Sequence, residues 1–267
     1  MSDPGESGYR LPDSTSAERS YTWHCNGGDV TDDPVERAEQ FLLAVRHEET
    51  TGEFEREFAA YDSERLAARL DSDEARMAFW INLYNAGTQQ LLETHREAYE
   101  KRKKFFSLPA VTVAGKELSL DDIEHRILRR SYSQLVLGYI RRPFRGEFFE
   151  RHELTARDPR IHFALNCGAQ SCPPIAAYTR EEIDDQLDMA TESYLDGIVE
   201  YFPDEEVVLV PKVMRWFRGD FGGRGGIVSF LQRFEFLPDD AYPRLAYVEW
   251  DWSLTPGKFV DGAIQQE

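Results

Sequence analysis

Lysine, cysteine and long apolar runs are all scarce in this sequence, and each shortage excludes something. Lysine occurs only at Lys101, Lys103, Lys104, Lys116, Lys212 and Lys258, so most cationic side chains are arginines. Aspartate and glutamate number 49 against 31 lysines and arginines, and the resulting charge of −18 repels phosphate backbones and anionic bilayers. Nucleic acid and membranes are therefore set aside as partners. The three cysteines, Cys25, Cys167 and Cys172, are odd in number and too few for a disulfide framework. No apolar stretch approaches the roughly 20 residues that a bilayer-spanning helix needs. The opening Met1-Ser2-Asp3-Pro4-Gly5-Glu6 has no basic segment followed by an apolar one, so no signal peptide is expected. A soluble, cytoplasmic protein is predicted. Its carboxylate-rich, lysine-poor composition points to a halophilic protein, because concentrated salt screens the self-repulsion of such a surface.

Apolar side chains are not scarce. They make up 41% of the chain, enough for a core at this length. Residues 1–32 are rich in Ser, Gly, Asp and Pro and read as a flexible arm, with Tyr21 to Cys25 as a segment able to dock. No linker divides the remainder, so residues 33–267 are expected to form one globular domain.

Asp33-Pro34 marks a helix start, and Asp71-Ser72-Asp73-Glu74 marks another. From Met77 to Leu92 the second helix is apolar nearly all round, which predicts a buried central helix. Asn82, Asn85 and Gln89 share one of its faces and need partners. Val111 to Leu118 reads as a hairpin turning at Gly115, and a helix follows from Leu120 to about Arg130. Ile161 to Cys167 looks like a buried strand, Val207–Val210 like a short one, and Tyr247–Trp252 like the last. Helices dominate and no βαβαβ alternation occurs. The predicted class is α+β, helix-rich around a central helix, with a small, mainly antiparallel sheet.

Five phrases occur in order: Ala78-Phe79-Trp80-Ile81-Asn82-Leu83-Tyr84-Asn85-Ala86, Leu118 to His125, Asp158 to Pro174, Asp220-Phe221-Gly222 and Asp251-Trp252-Ser253-Leu254. Together they resemble the domain-of-unknown-function family numbered 547, over roughly residues 70–255. The resemblance implies no agreed activity. It makes Cys167 the better match to the shared pattern, since plant relatives tend to have serine where Cys172 stands. Thr255 occupies a position where the family usually has asparagine.

The residues themselves allow a thiol mechanism. Cys167 or Cys172 would attack a carbonyl, His162 would take the proton, and Asn82, Asn85 or Glu124 would orient the groups, giving a cysteine-dependent hydrolase or acyl transferase. A continuous strand would hold the Cα atoms of His162 and Cys167 roughly 16 Å apart at ~3.3 Å per residue, on opposite faces, so that pairing requires a break. A chain reversal at Cys167-Gly168 would instead bring Cys172 back beside His162, and His125 is another available imidazole. The alternative is a non-catalytic binding or scaffold domain in which these residues serve the fold. The Cys167-x4-Cys172 spacing is compatible with zinc, but no second Cys/His pair stands at knuckle spacing, so no metal is assigned. No cofactor is assigned either, because the glycines of 220–226 lack the strand and Lys-Ser/Thr of a phosphate loop. Asp220 reads as a loop cap.

Overall fold

The computed structural model describes residues 33–260; the predicted arm, with His24 and Cys25, and residues 261–267 lie outside the described residues. The chain begins with α1 (Pro34–Arg46), where Asp33 Oδ1 accepts the Val35 N–H at 2.9 Å and Pro34 occupies the first turn. Two short helices follow, α2 (Gly52–Ala60) and α3 (Ser63–Arg69). Next comes α4 (Asp73–Thr94), the buried helix that its all-round apolar pattern predicts. Ser72 caps it through the Ala75 N–H at 3.2 Å. Phe79, Trp80, Ile81 and Leu83 of α4 are fully buried in a core shared with α1 and α2.

After α5 (Arg102–Phe105), β1 (Pro109–Val113) and β2 (Lys116–Ser119) pair as an antiparallel hairpin. Its two turn residues, Ala114 and Gly115, both have positive φ, as a tight hairpin turn requires. The helix expected from Leu120 is a π-helical segment, Asp122–Leu128, closed by a bond from the Arg129 N–H to the Glu124 carbonyl at 2.8 Å. Such wide turns are rare and frequent at functional sites. The short α6 (Glu147–His152) comes next.

The strand expected over 161–167 does not form. Pro159–Phe163 is instead a 3₁₀ turn, capped by Asp158 Oδ1 on the Arg160 N–H at 2.9 Å. The segment is apolar because it is enclosed by the core, and that produces the same continuous pattern as a buried strand.

The chain then enters α7 (Ile183–Asp196), β3 (Glu200–Phe202), β4 (Val207–Pro211), α8 (Val213–Trp216), α9 (Gly223–Arg233) and β5 (Arg244–Val248). Here β3 and β4 pair antiparallel, while β4 and β5 pair parallel, so the second sheet is mixed. The last strand thus ends before Trp250 and Trp252. A second cluster of buried side chains, including Met214, Ile227, Leu231 and Phe163, packs α8 and α9 against this sheet. The helix-rich α+β class holds. Among the described residues no helix is long and apolar enough to cross a membrane.

Candidate functional site

A cleft of about 640 Å³ collects side chains from α4, α5, the π-helical segment, the 162–172 stretch, α8 and the chain after β5. Cys167, Cys172, His162 and Glu124 all line it, along with His125 and Asp121.

The two cysteines meet because the chain reverses at Gly168, whose φ is +83°. A β-carbon there would also stand 2.7 Å from Leu92 Cδ1, so both the turn and the packing call for glycine. The reversal carries the Cys172 sulfur to the Cys167 N–H, which donates to it at 3.1 Å. Burial alone would push the Cys172 thiol up. The Cys167 thiol and backbone, the Ala169 backbone and the Lys258 charge outweigh that, and Cys172 is held below the ordinary thiol value. Cys167, the half-exposed member of the pair, moves the other way, well up, because its thiol interacts with Cys172 and because the surrounding protein desolvates it. Cys172 is therefore the first of the pair to lose its proton.

His162 owes its position to a buried ionic centre. Its Nε2 donates to Asp220 Oδ2 at 3.0 Å, and its ring stacks on Phe217 with centroids 4.2 Å apart and planes 9° from parallel. Because a carboxylate only accepts, the proton sits on Nε2 and Nδ1 is left free as a base. Among the described residues nothing in the protein hydrogen-bonds that Nδ1. Asp220 also accepts from Arg129 Nε at 2.5 Å and from Arg157 Nη1 at 2.8 Å. Burial would raise the Asp220 carboxyl, but the hydrogen bond from His162 and the bonds and charge of Arg129 hold it well below the usual carboxylate range.

A second imidazole sits close by. Arg129 Nη1 donates to His125 Nδ1 at 3.1 Å, while Asp121 and Glu124 carboxyl oxygens lie 3.6 and 3.4 Å from its ring nitrogens. Burial and then the Arg129 charge push His125 down to about 3, so it is neutral at ordinary pH. Burial raises Glu124 as well, against the opposing charge of Arg129. Tyr84 donates its hydroxyl to Glu124 Oε2 at 3.4 Å. Neither sulfur is hydrogen-bonded to an imidazole among the described residues.

Asn82 and Asn85 stand elsewhere, which corrects their expected role as orienting groups. The Asn82 amide grips the backbone of Tyr178 from both ends, at 2.8 and 3.0 Å. Asn85 donates to the Ala164 carbonyl at 3.0 Å and accepts the Asn166 N–H at 2.9 Å. Both are fully buried; Asn85 fastens α4 to the stretch between His162 and Cys167, and Asn82 fastens it to the chain at Tyr178. Their side chains are spent on backbone, and neither lines the cleft. Gln89 does the same for the Gly257 N–H at 2.7 Å.

Sequence reasoning missed Asp220 as the partner of His162 and Arg129 as the cation between the two imidazoles. Asp220 lies 58 residues from His162 in the chain, and only its place in the Asp220-Phe221-Gly222 phrase marked it. The Cys167–Cys172 spacing could be read as a pair, and the structure brings them together, but not with His162 in direct contact.

Residues 67–195 match the model of a family described as "Protein of unknown function, DUF547", which bears out the resemblance. The matched segment holds the central helix, His125, His162 and both cysteines, whereas Asp220 and the cleft tryptophans lie beyond it. Neither a curated protein nor a solved structure matches the chain.

Proposed function

We propose that this protein is a cysteine-dependent hydrolase or acyl transferase that works in the cleft. The observation that carries the reading is the opening of two paired thiols and a carboxylate-held imidazole into one cavity. Cys172 is the nucleophile, being the sulfur favoured to deprotonate. His162 is the base, its free Nδ1 selected by the Nε2–H bond to Asp220, and Asp220 is the positioning residue for the ring. Glu124, whose carboxyl burial raises, is suited to donate a proton to a leaving group.

In the step itself the thiolate forms a bond to the carbonyl carbon. Collapse of the adduct breaks the bond to the leaving alkoxide or amine, which takes a proton from His162 or Glu124. Water or a second nucleophile then releases the acyl group from sulfur. The reading in which the same groups serve only the fold fits Asn82 and Asn85, whose amides are consumed by backbone, but it gives no account of the free Nδ1 of His162.

The test is a covalent trap with p-nitrophenyl acetate. We expect acetylation at Cys172, seen as an added acetyl mass on its peptide, with p-nitrophenol released faster than by the unfolded chain. Cys172→Ser and His162→Ala should each abolish that release. Acetylation spread over lysines, and unchanged by either substitution, would contradict the proposal.

A further inference from the structure

Three tryptophans and three cations share the wall of this cleft, and the catalytic groups use none of them. Trp216, Trp250 and Trp252 pack on one another, with centroid separations of 5.3 Å for Trp216–Trp250 and 5.8 Å for each of the other two pairs. All three are only partly buried. Phe106, Val213 and Leu135 extend the apolar wall, and Leu135 is 93% exposed.

The cations are Arg102, Lys103 and Arg142. The Arg102 guanidinium lies 4.4 Å from the Trp252 ring centroid, and none of the three makes a salt bridge among the described residues. Arg102 is half-buried, and the buried Arg160 elsewhere in this acidic chain is matched to Asp158, Asp184 and Asp188, while Lys103 and Arg142 are exposed. The carboxyls of the cleft do not supply the missing partners. Asp121 and Glu124 are turned to His125, and Arg142 acts on Asp121 only at a distance.

We propose that the cleft binds an organic anion with a flat aromatic body, the ring lying on the tryptophan wall and the carboxylate meeting Arg102 and Arg142. As a binding site this stands on the wall residues. As the substrate class, an acyl compound with an aromatic portion and a separate anionic group, it rests on the acyl-transfer reading above. A stacked guanidinium beside an indole favours such a ligand on two counts, since the ring extends the stack and the charge completes an ion pair.

The test is titration of intrinsic fluorescence with 2-naphthoate, its uncharged analogue 2-naphthamide and the cation 2-naphthylmethylammonium, at one ionic strength. Three of the five tryptophans line the cleft, so the signal reads it directly. We expect saturable quenching by naphthoate with a Kd at least tenfold lower than that of the amide, and no preference for the ammonium. Arg102→Gln with Arg142→Gln should erase that difference while leaving the circular dichroism unchanged. Equal affinities for the three probes, tighter binding of the ammonium, or no saturable quenching would each overturn the proposal. Cys172→Ser separates it from the catalytic reading. That variant should still bind naphthoate, so binding without any acyl-thiol in the wild type would condemn the catalytic step and leave the binding site standing.

Discussion

Replacing Asp220 by asparagine removes the carboxylate that Arg129, Arg157 and His162 share. The Arg129 side chain is fully buried, so its charge is then left without a counter-ion in the core. Such a loss costs about 3–5 kcal/mol, and a urea titration of Asp220→Asn should give an unfolding free energy lower by that amount. The pH dependence follows from the same contacts. Asp220 is depressed in the folded state, so it contributes stability above the unfolded carboxylate value of about 3.9 and loses it as pH falls through the lower folded value. The stability deficit of the asparagine variant relative to wild type should therefore be full at pH 6 and shrink as acid protonates the wild-type carboxyl. A deficit that stays constant into strong acid would show that the carboxylate charge is not its source.

At the scale of elements, Asn85 ties α4 to the chain just after the 3₁₀ turn that carries His162, and Asn82 ties it to the chain at Tyr178. Asn82→Leu strands both the Tyr178 N–H and its carbonyl, at about 1–3 kcal/mol for each buried group. Thermal unfolding should come markedly earlier, while the folded variant keeps the reactivity of Cys172. If instead thiol reactivity falls with no loss of stability, Asn82 belongs to the chemistry. The central helix was legible in the sequence because a helix apolar on every side has few other places to go. The first cap and the hairpin were legible because Asp33-Pro34 and Ala114-Gly115 act locally. The turn at 159–163 was not, since an enclosed apolar run has the same pattern whether it is extended or coiled. The parallel pairing of β4 with β5 was hidden as well, being a choice of partner that neither strand encodes alone. Within the site, the thiols and His162 announced themselves by residue type. The role of Asp220 depended on a contact made across 58 positions, which no local signal carries.

For the whole molecule the net charge of −18 sets the expectation. Self-repulsion at low ionic strength opposes the compact state, and about 1 M salt shortens the screening length to about 3 Å. Buried pairs such as Arg129–Asp220 are shielded from that screening, so the surface term dominates. The melting temperature should rise between 0.05 and 1 M potassium chloride. A fall over that range would mean that attractive surface pairs outweigh the excess of carboxylates and that the halophilic reading is wrong.

The central claim is that Cys172, in partnership with Cys167, presents a thiolate to the cleft. It is tested most directly by the pH dependence of iodoacetamide alkylation in the folded protein, read separately on the Cys167 and Cys172 peptides. The account predicts that Cys172 labels first, with a midpoint below the unperturbed thiol value of about 8.5, and that Cys167 labels only at much higher pH. Labelling of neither residue until the protein unfolds, or of Cys167 ahead of Cys172, would contradict it.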